Sequence, residues 1–314
     1  MEILDSLRNQ KTYNGNTYKF GIRLEDKDYL VKYPKSDDLS VFCEYLASGI
    51  ISRMGFPCQT VVLGTYHGVV VDVIEDFTSG TNQMLHSFRD IKQAGEDTDI
   101  GDKEYTYEDA TYLIRKHLKL RSEEKDAALH QFWQMFLCDA ILANRDRHWG
   151  NWGYLSSGNH YQAAPIYDNG ACLFPNVNRV IEEFSLHPIN FLKEQIYTFP
   201  ASLFMINTDK KRHPERSRAD RPTYYEILEN SQMGLAVDPV LCEEWQLLLS
   251  RHSLSSMYEI TTEMVGSLGD YVSQPVKHFW TSIVPLRFAC LIERRDFEDA
   301  YEELRKRRGE GGYA

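Results

Sequence analysis

Residues 144–151 read "NRDRHWGN" and residues 167–170 read "YDNG". Asp146, Arg147, His148 and Asn151 crowd into six positions, and Asp168 follows at a turn. A loop needs polar residues, but not this set. The stretch before it, 123–143, carries Leu129, Phe132, Trp133, Phe136, Leu137, Ala140 and Ile141 at helical spacing and is apolar nearly all round, so it predicts a helix at the centre of a helical region. The stretch after it, "WGYL" and "YQAAPIYD" around the turn "SSGNH", predicts a short hairpin that brings Asp168 back beside Asn151.

Toward the N-terminus the pattern is that of an antiparallel sheet. Tyr18, Phe20, Ile22 and Leu24 alternate with polar residues or glycine, "DKD" (26–28) predicts a turn, and "YLVKYP" returns as a second strand. Residues 39–55 predict one helix stopped by Gly55 and Pro57, and 60–77 predict a second hairpin. Residues 79–106 are polar and Gly-dotted, a loop with short helices, and 223–308 are mostly helical.

Strand hairpin, helix, strands, hinge, helical lobe, polar loop and hairpin come in that order. With the quoted residues, this order resembles the HipA-like serine/threonine kinases, whose pattern is N-x-D-R-H-x-x-N followed by P-x-Y-D. Phosphatidylinositol kinases share D-R-H-x-x-N. The chain looks more like the compact, cell-translocating members of the HipA-like family than like the HipA toxins, whose extra N-terminal subdomain it is expected to have no room for. The resemblance implies an α+β, bilobal, protein-kinase-like fold. A small antiparallel-sheet lobe with one helix would span 1–77, and a mostly helical lobe 78–314.

It also implies ATP and Mg2+ as cofactors and a protein Ser/Thr hydroxyl as acceptor, with an antitoxin as a conceivable partner. Phosphoryl transfer needs a carboxylate to orient the acceptor and oxygen ligands for the metal. Asp146 is the expected acceptor-side carboxylate. Asn151, five residues on, and Asp168 are the expected metal ligands. His148 either contacts phosphate or acceptor or pins the loop, and Arg147 is expected to brace the loop against a carboxylate.

Lys32, on the second strand, is the expected phosphate lysine, held by Glu44 on the following helix. The chain has no G-x-G-x-x-G. Its nearest counterpart is the turn at Gly15 and Asn16, whose backbone N–H groups would lie near the phosphates. Glu75 and Phe77 mark the expected hinge that holds adenine through its backbone. The basic run 209–221 reads as a solvated loop or a dock for an acidic partner, and Ser185 as a candidate modification site.

The net charge of −11 argues against direct nucleic-acid binding and against an anionic membrane. No apolar run approaches the roughly 18 residues of a membrane span, and the first residues lack the pattern of a signal peptide. The six cysteines are widely spaced, with no CxxC, and read as free thiols. Together these predict a cytoplasmic setting and leave secretion as an effector open. Two other readings share the motif: a lipid or small-molecule kinase, and a pseudokinase that binds nucleotide or a partner.

Overall fold

The first two strands form because a two-residue turn suits their twist. Glu25 and Asp26 both take left-handed backbone (φ 45° and 68°), so β1 (Lys19–Leu24) and β2 (Lys27–Lys32) pair antiparallel from Leu24↔Lys27 to Lys19↔Lys32. The turn expected at 26–28 therefore falls one residue earlier, and Asp28 stays in the ladder opposite Arg23. A second two-residue turn at His67 and Gly68 joins β3 (Val61–Tyr66) to β4 (Val69–Glu75). The sheet order is β1-β2-β4-β3, antiparallel throughout. The computed structural model describes residues 2–13, 17–34, 38–90, 105–116, 120–198, 204–205, 223–232 and 238–309.

The pleat sorts this sheet into two faces. Phe20, Ile22, Val31, Val71 and Val73 join Ile3 and Tyr66 in a small apolar cluster on one side. Lys32 and Asp72, opposite each other in the β2–β4 register, occupy the other side with Ile74. Helix α1 (Ser40–Arg53) packs against β3 and β4. Its Leu46, Ile50 and Ile51 are fully buried and belong to the same large core as the helices that follow.

That core is built round α3 (Ser122–Leu142), preceded by α2 (Tyr107–Lys116). Twelve residues of α3 are buried, from Ala128 to Leu142, which is why its polar and apolar residues show so little sidedness. Helices α4 (Pro188–Tyr197), α5 (Tyr224–Gln232), α6 (Pro239–Arg251), α7 (Leu254–Gly266), α8 (Gln274–Arg287) and α9 (Phe297–Arg307) complete it. Helix α7 packs on both α1 and α8, and α6 and α8 pack on α3.

One element departs from expectation. Met84–Ser87, within the stretch read as loop with short helices, is a strand (β5) paired antiparallel with β6 (Gly153–Ser157), which pairs in turn with β7 (His160–Ala163). The expected hairpin thus supplies the central strand and one edge of a three-stranded sheet. Gly153 permits the pairing, because a Cβ there would collide with the carbonyl of His86. Four residues hidden in a polar stretch give too short a pattern to announce a strand. The arrangement is α+β, with antiparallel sheets and a helical majority.

Candidate active site

Helix α3 ends at Leu142, and Ala143 reverses the chain in the left-handed region (φ 59°). The loop that follows is held from beneath. Asn144 donates through its backbone N–H to Asp139 O and through Nδ2 to Asp139 Oδ1, both at 2.9 Å, and its Oδ1 accepts the N–H of Asp146 at 2.9 Å. Tyr224, from α5, donates its hydroxyl to Asn144 O at 2.6 Å. Asp146 itself is half-buried.

Arg147 is 1% exposed and binds in every direction. Its Nε and Nη2 each lie 2.9 Å from one oxygen of Asp139, a forked pair. Its Nη1 donates to Asn151 O at 2.8 Å and Tyr167 O at 2.5 Å, and its Nη2 to Asn169 Oδ1 at 2.7 Å. One side chain thus laces the loop to the segment that carries Asp168. Burial pushes the Asp139 carboxyl upward against the pull of Arg147, while the guanidinium is held above its ordinary value by Asp139 despite its own burial.

Asn151 donates Nδ2 to Asp146 O at 2.8 Å, which leaves its Oδ1 without a hydrogen bond among the described residues. His148 Nδ1 accepts the N–H of Gly150 at 3.0 Å, so its neutral ring carries the proton on Nε2. That is the pinning geometry of the two roles expected for it.

Across from this loop, Lys32 Nζ stands 2.7 Å from Glu44 Oε2 and 2.8 Å from Asp168 Oδ1. The Lys32 side chain is 14% exposed and that of Glu44 wholly buried. Burial works against the lysine charge, but the two carboxylates outweigh it and raise its pKa. Burial likewise opposes the Asp168 charge, and Lys32 outweighs it, holding the carboxyl below its ordinary value of 3.8.

Glu44 has further partners. Its Oε1 accepts Gln59 Nε2 at 2.5 Å and the backbone N–H of Asn169 at 2.6 Å. Asn169 donates Nδ2 to Ser48 Oγ at 3.0 Å, so α1 holds the turn after Asp168 at two points. Asp168 takes left-handed backbone (φ 58°). Gly170 follows where a Cβ would stand 2.9 Å from Glu44 Oε2 and 3.6 Å from Lys32 Nζ, so the third residue of "DNG" leaves room for the ion pair.

Two groups at this site were not foreseen in the sequence. Lys19, half-buried, pairs in register with Lys32 and bears on Asp168 and Glu44 electrostatically, while burial lowers its pKa. Asp72, opposite Lys32 on β4, is 1% exposed, and among the described residues neither of its oxygens has a hydrogen-bond partner. Its burial, reinforced by Glu44, raises its pKa far above 3.8 against the pull of Lys32. Alternation on β1 and β4 carried the signal for both, once the pairing was known. Asp139, Gln59 and Asn169 left none, because their partners are 5 to 125 residues away.

The geometry thus brings Lys32, Glu44 and Asp168 together and joins them through Arg147 to Asp146 and Asn151. Glu75 turns the other way, its Oε1 2.6 Å from Lys27 Nζ. Phe77 packs near Tyr167, with ring centroids 6.2 Å apart. Gly15, Asn16 and the basic run 209–221 lie outside the described residues. Ser185 sits on the short helix Ile181–Leu186, its hydroxyl donating to Ile181 O.

Among the described residues no three His, Cys, Asp or Glu side chains cluster as a metal-holding set. A magnesium ion does not require one, since it is commonly held by one or two protein oxygens, phosphate oxygens and water. The second oxygen of Asp168 and Oδ1 of Asn151 suit that role, and Lys32 and Lys19 suit an anionic polyphosphate. The donor set fits a metal-bound nucleotide. Among the described residues no helix is long and apolar enough to cross a membrane. Cys43, Cys138, Cys172 and Cys290 are buried free thiols, Cys58 is half-buried and Cys242 exposed.

Comparison with known proteins bears on the same residues. A family model described as the HipA-like C-terminal domain matches residues 11–196. The serine/threonine-protein kinase CtkA of Helicobacter pylori strain J99 is 32% identical over 244 residues, 73% of this chain and 68% of that protein. The crystal structure of a Helicobacter pylori proinflammatory kinase CtkA superposes with a TM-score of 0.77 at 24% identity, covering 97% of this chain and 98% of that one. A chain of the Shewanella oneidensis MR-1 toxin–antitoxin complex of HipA, HipB and operator DNA superposes with a TM-score of 0.52 at 12% identity, over 96% of this chain and 69% of that one.

Proposed function

The chain belongs to the family of HipA-like C-terminal domains, and from that premise we propose that the cluster around Lys32 and Asp168 is a phosphoryl-transfer site. The protein is a HipA-type serine/threonine kinase, an enzyme that uses ATP and a divalent metal in the general manner of its kinase relative. The observation that supports the site most directly is the double engagement of Lys32, at 2.7 Å from Glu44 and 2.8 Å from Asp168.

In this reading Lys32, steadied by Glu44, binds phosphate oxygens, and Lys19 adds a second positive charge beside it. Asp168 and Asn151 Oδ1 hold magnesium, which when bound neutralises the phosphates and polarises the γ-phosphoryl group. Asp146 accepts the proton of a Ser or Thr hydroxyl and orients it for in-line attack. His148 keeps the loop in shape through Gly150, and Arg147 fixes the spacing between the Asp146 loop and Asp168. Most of the acceleration would come from positioning and charge complementarity. The hinge near Glu75 and Phe77 would hold adenine by its backbone, and the division into lobes at residue 77 is part of the same reading.

An antitoxin partner, implied by the family resemblance, draws support from the HipA chain that was solved with HipB, a likeness that extends to the fold alone. The test is transfer of label from γ-labelled ATP to protein serine or threonine. Wild type should label protein in a lysate, and Asp168→Asn and Asp146→Asn should not. Labelling of lipid or sugar in place of protein would redirect the assignment, and unimpaired labelling by both variants would end it.

A further inference from the structure

The segment after β5 is fastened to the loop that carries Asp146. Phe88 is fully buried against two indoles, its ring centroid 4.8 Å from Trp149 and 4.0 Å from Trp152, with planes 12° and 16° from parallel. Its N–H donates to Trp152 O, and the N–H of Arg89 donates to Trp149 O, both at 2.9 Å. These contacts fix where Arg89 leaves the backbone.

The Arg89 side chain is exposed and lies over the loop. Its Nη2 is 3.4 Å from where a Cβ on Gly150 would stand, and His148 Cε1 is 3.0 Å from the same point. The guanidinium and the imidazole therefore share the surface above residue 150, next to Asn151 and four positions beyond Asp146. Arg147, in contrast, is buried and committed to Asp139, Asn151, Tyr167 and Asn169. Arg89 makes no ion pair and no side-chain hydrogen bond among the described residues. Its neighbour Asp90 is turned back on Ser87, accepting the Ser87 N–H at 3.1 Å and the hydroxyl at 2.7 Å.

A guanidinium on a fixed stretch of backbone, over the loop that carries Asp146 and with no counter-ion among the described residues, is a ready receptor for an anion brought by another molecule. We propose that Arg89 selects acceptor segments that carry an acidic side chain within a few residues of the accepting serine or threonine. This rests on the reading of Asp146 as the acceptor-side group. The net charge of −11 repels acidic segments at long range, so their preference would come from local contact such as that with Arg89.

The probe is a set of peptides with a single serine in an alanine–glycine background, with Glu, Gln or Lys scanned from three residues before it to three after. Wild type, Arg89→Ala and Arg89→Glu are compared by kcat/KM for peptide and KM for ATP. Wild type should favour Glu over Gln at one or two positions by about tenfold, the usual size of a charge-assisted hydrogen bond. Arg89→Ala should lose that preference with its activity on the Gln peptides and its KM for ATP within about twofold of wild type. Arg89→Glu should turn the preference toward Lys.

Equal treatment of Glu and Gln by wild type, or a preference that survives Arg89→Ala, overturns the proposal. So does an equal loss on every peptide in a variant that melts like wild type, which would move Arg89 to the γ-phosphate. Labelling of lysate proteins but of no peptide overturns it while sparing the kinase assignment. Labelling of neither would remove both.

Discussion

Lys32 Nζ and Asp168 Oδ1 lie 2.8 Å apart, so the cation proposed to bind phosphate and the carboxylate proposed to bind metal are each other's partners. On that proposal, metal and nucleotide compete with the pair. Lys32→Met should therefore weaken ATP binding by more than about tenfold while tightening Mg2+ or Mn2+ binding in the absence of nucleotide. Calorimetric titration of each ligand alone reads both changes, and a fall in both affinities would show that the pair is not a competitor for the metal. The pH dependence has a definite sign. Asp168 is depressed below 3.8, so its share of stability is present above that value and fades as pH falls through the folded value. Lys32 is raised above 10.5, so its share holds below that value and is lost only as pH rises through a still higher one. The stability gap between wild type and Lys32→Met should narrow in acid, below about pH 4.

Asp139 and Arg147 form a forked pair with side chains 2% and 1% exposed. Asp139→Asn would leave a buried guanidinium short of its counter-charge, a change that typically costs about 3–5 kcal/mol. Urea unfolding should show that loss. The double replacement Asp139→Leu with Arg147→Met should cost less than the sum of the single ones, although it should abolish activity by freeing Tyr167 and Asn169. Additive stability losses would mean that the two side chains do not act as a unit.

Asp72 offers the opposite case, a carboxyl whose burial outweighs the attraction of Lys32 and raises its pKa well above the ordinary value. Between about pH 4 and that raised value the folded state holds an extra proton. Stability then falls as pH rises, by at most about 1.4 kcal/mol per pH unit. Asp72→Asn should remove that slope and stabilise the protein more at pH 8 than at pH 5. Denaturant midpoints at the two pH values decide it, and an equal shift at both would point to an undiscovered partner for Asp72.

Asp146 and His148, two positions apart, should separate cleanly in kinetics. Asp146→Ala should lower kcat by about 10²–10⁴ with ATP affinity retained. His148→Ala removes a hydrogen bond to Gly150, so it should cost about 1 kcal/mol of stability and a smaller part of the rate. Equal kcat losses without a stability change would make His148 a direct participant.

Much of this site could be read from the chain because its residues lie close in sequence. The interval from Asp146 to Asn151 is fixed by one loop, and Lys32 and Glu44 lie 12 positions apart, on a strand and the first helix. Periodicity marked α1 and α3 because each has a long, regular run. What stayed hidden depends on contacts that sequence order does not display. Asp139 was one polar residue in an apolar helix, and its meaning came only from Arg147. Asn169 sat inside the metal motif, but its bonds to Glu44 and Ser48 cross more than 120 positions. Strand β5 has four residues and one partner, and that partner supplies the glycine that lets it pair.

Glu44 divides two oxygens among three partners: Lys32 on β2, Gln59 before β3 and the backbone of Asn169 after Asp168. An outward swing of α1 would therefore take Glu44 from the lysine and from the Asp168 turn in one event, leaving Lys32 on Asp168 alone. The helix is also sunk into the common core through Leu46, Ile50 and Ile51. A small molecule that inhibits by wedging α1 aside would have to wait for this rare opening and, once lodged, would keep the whole set from reforming. Slow onset and long residence, rather than high affinity at first encounter, should be the mark of such an inhibitor.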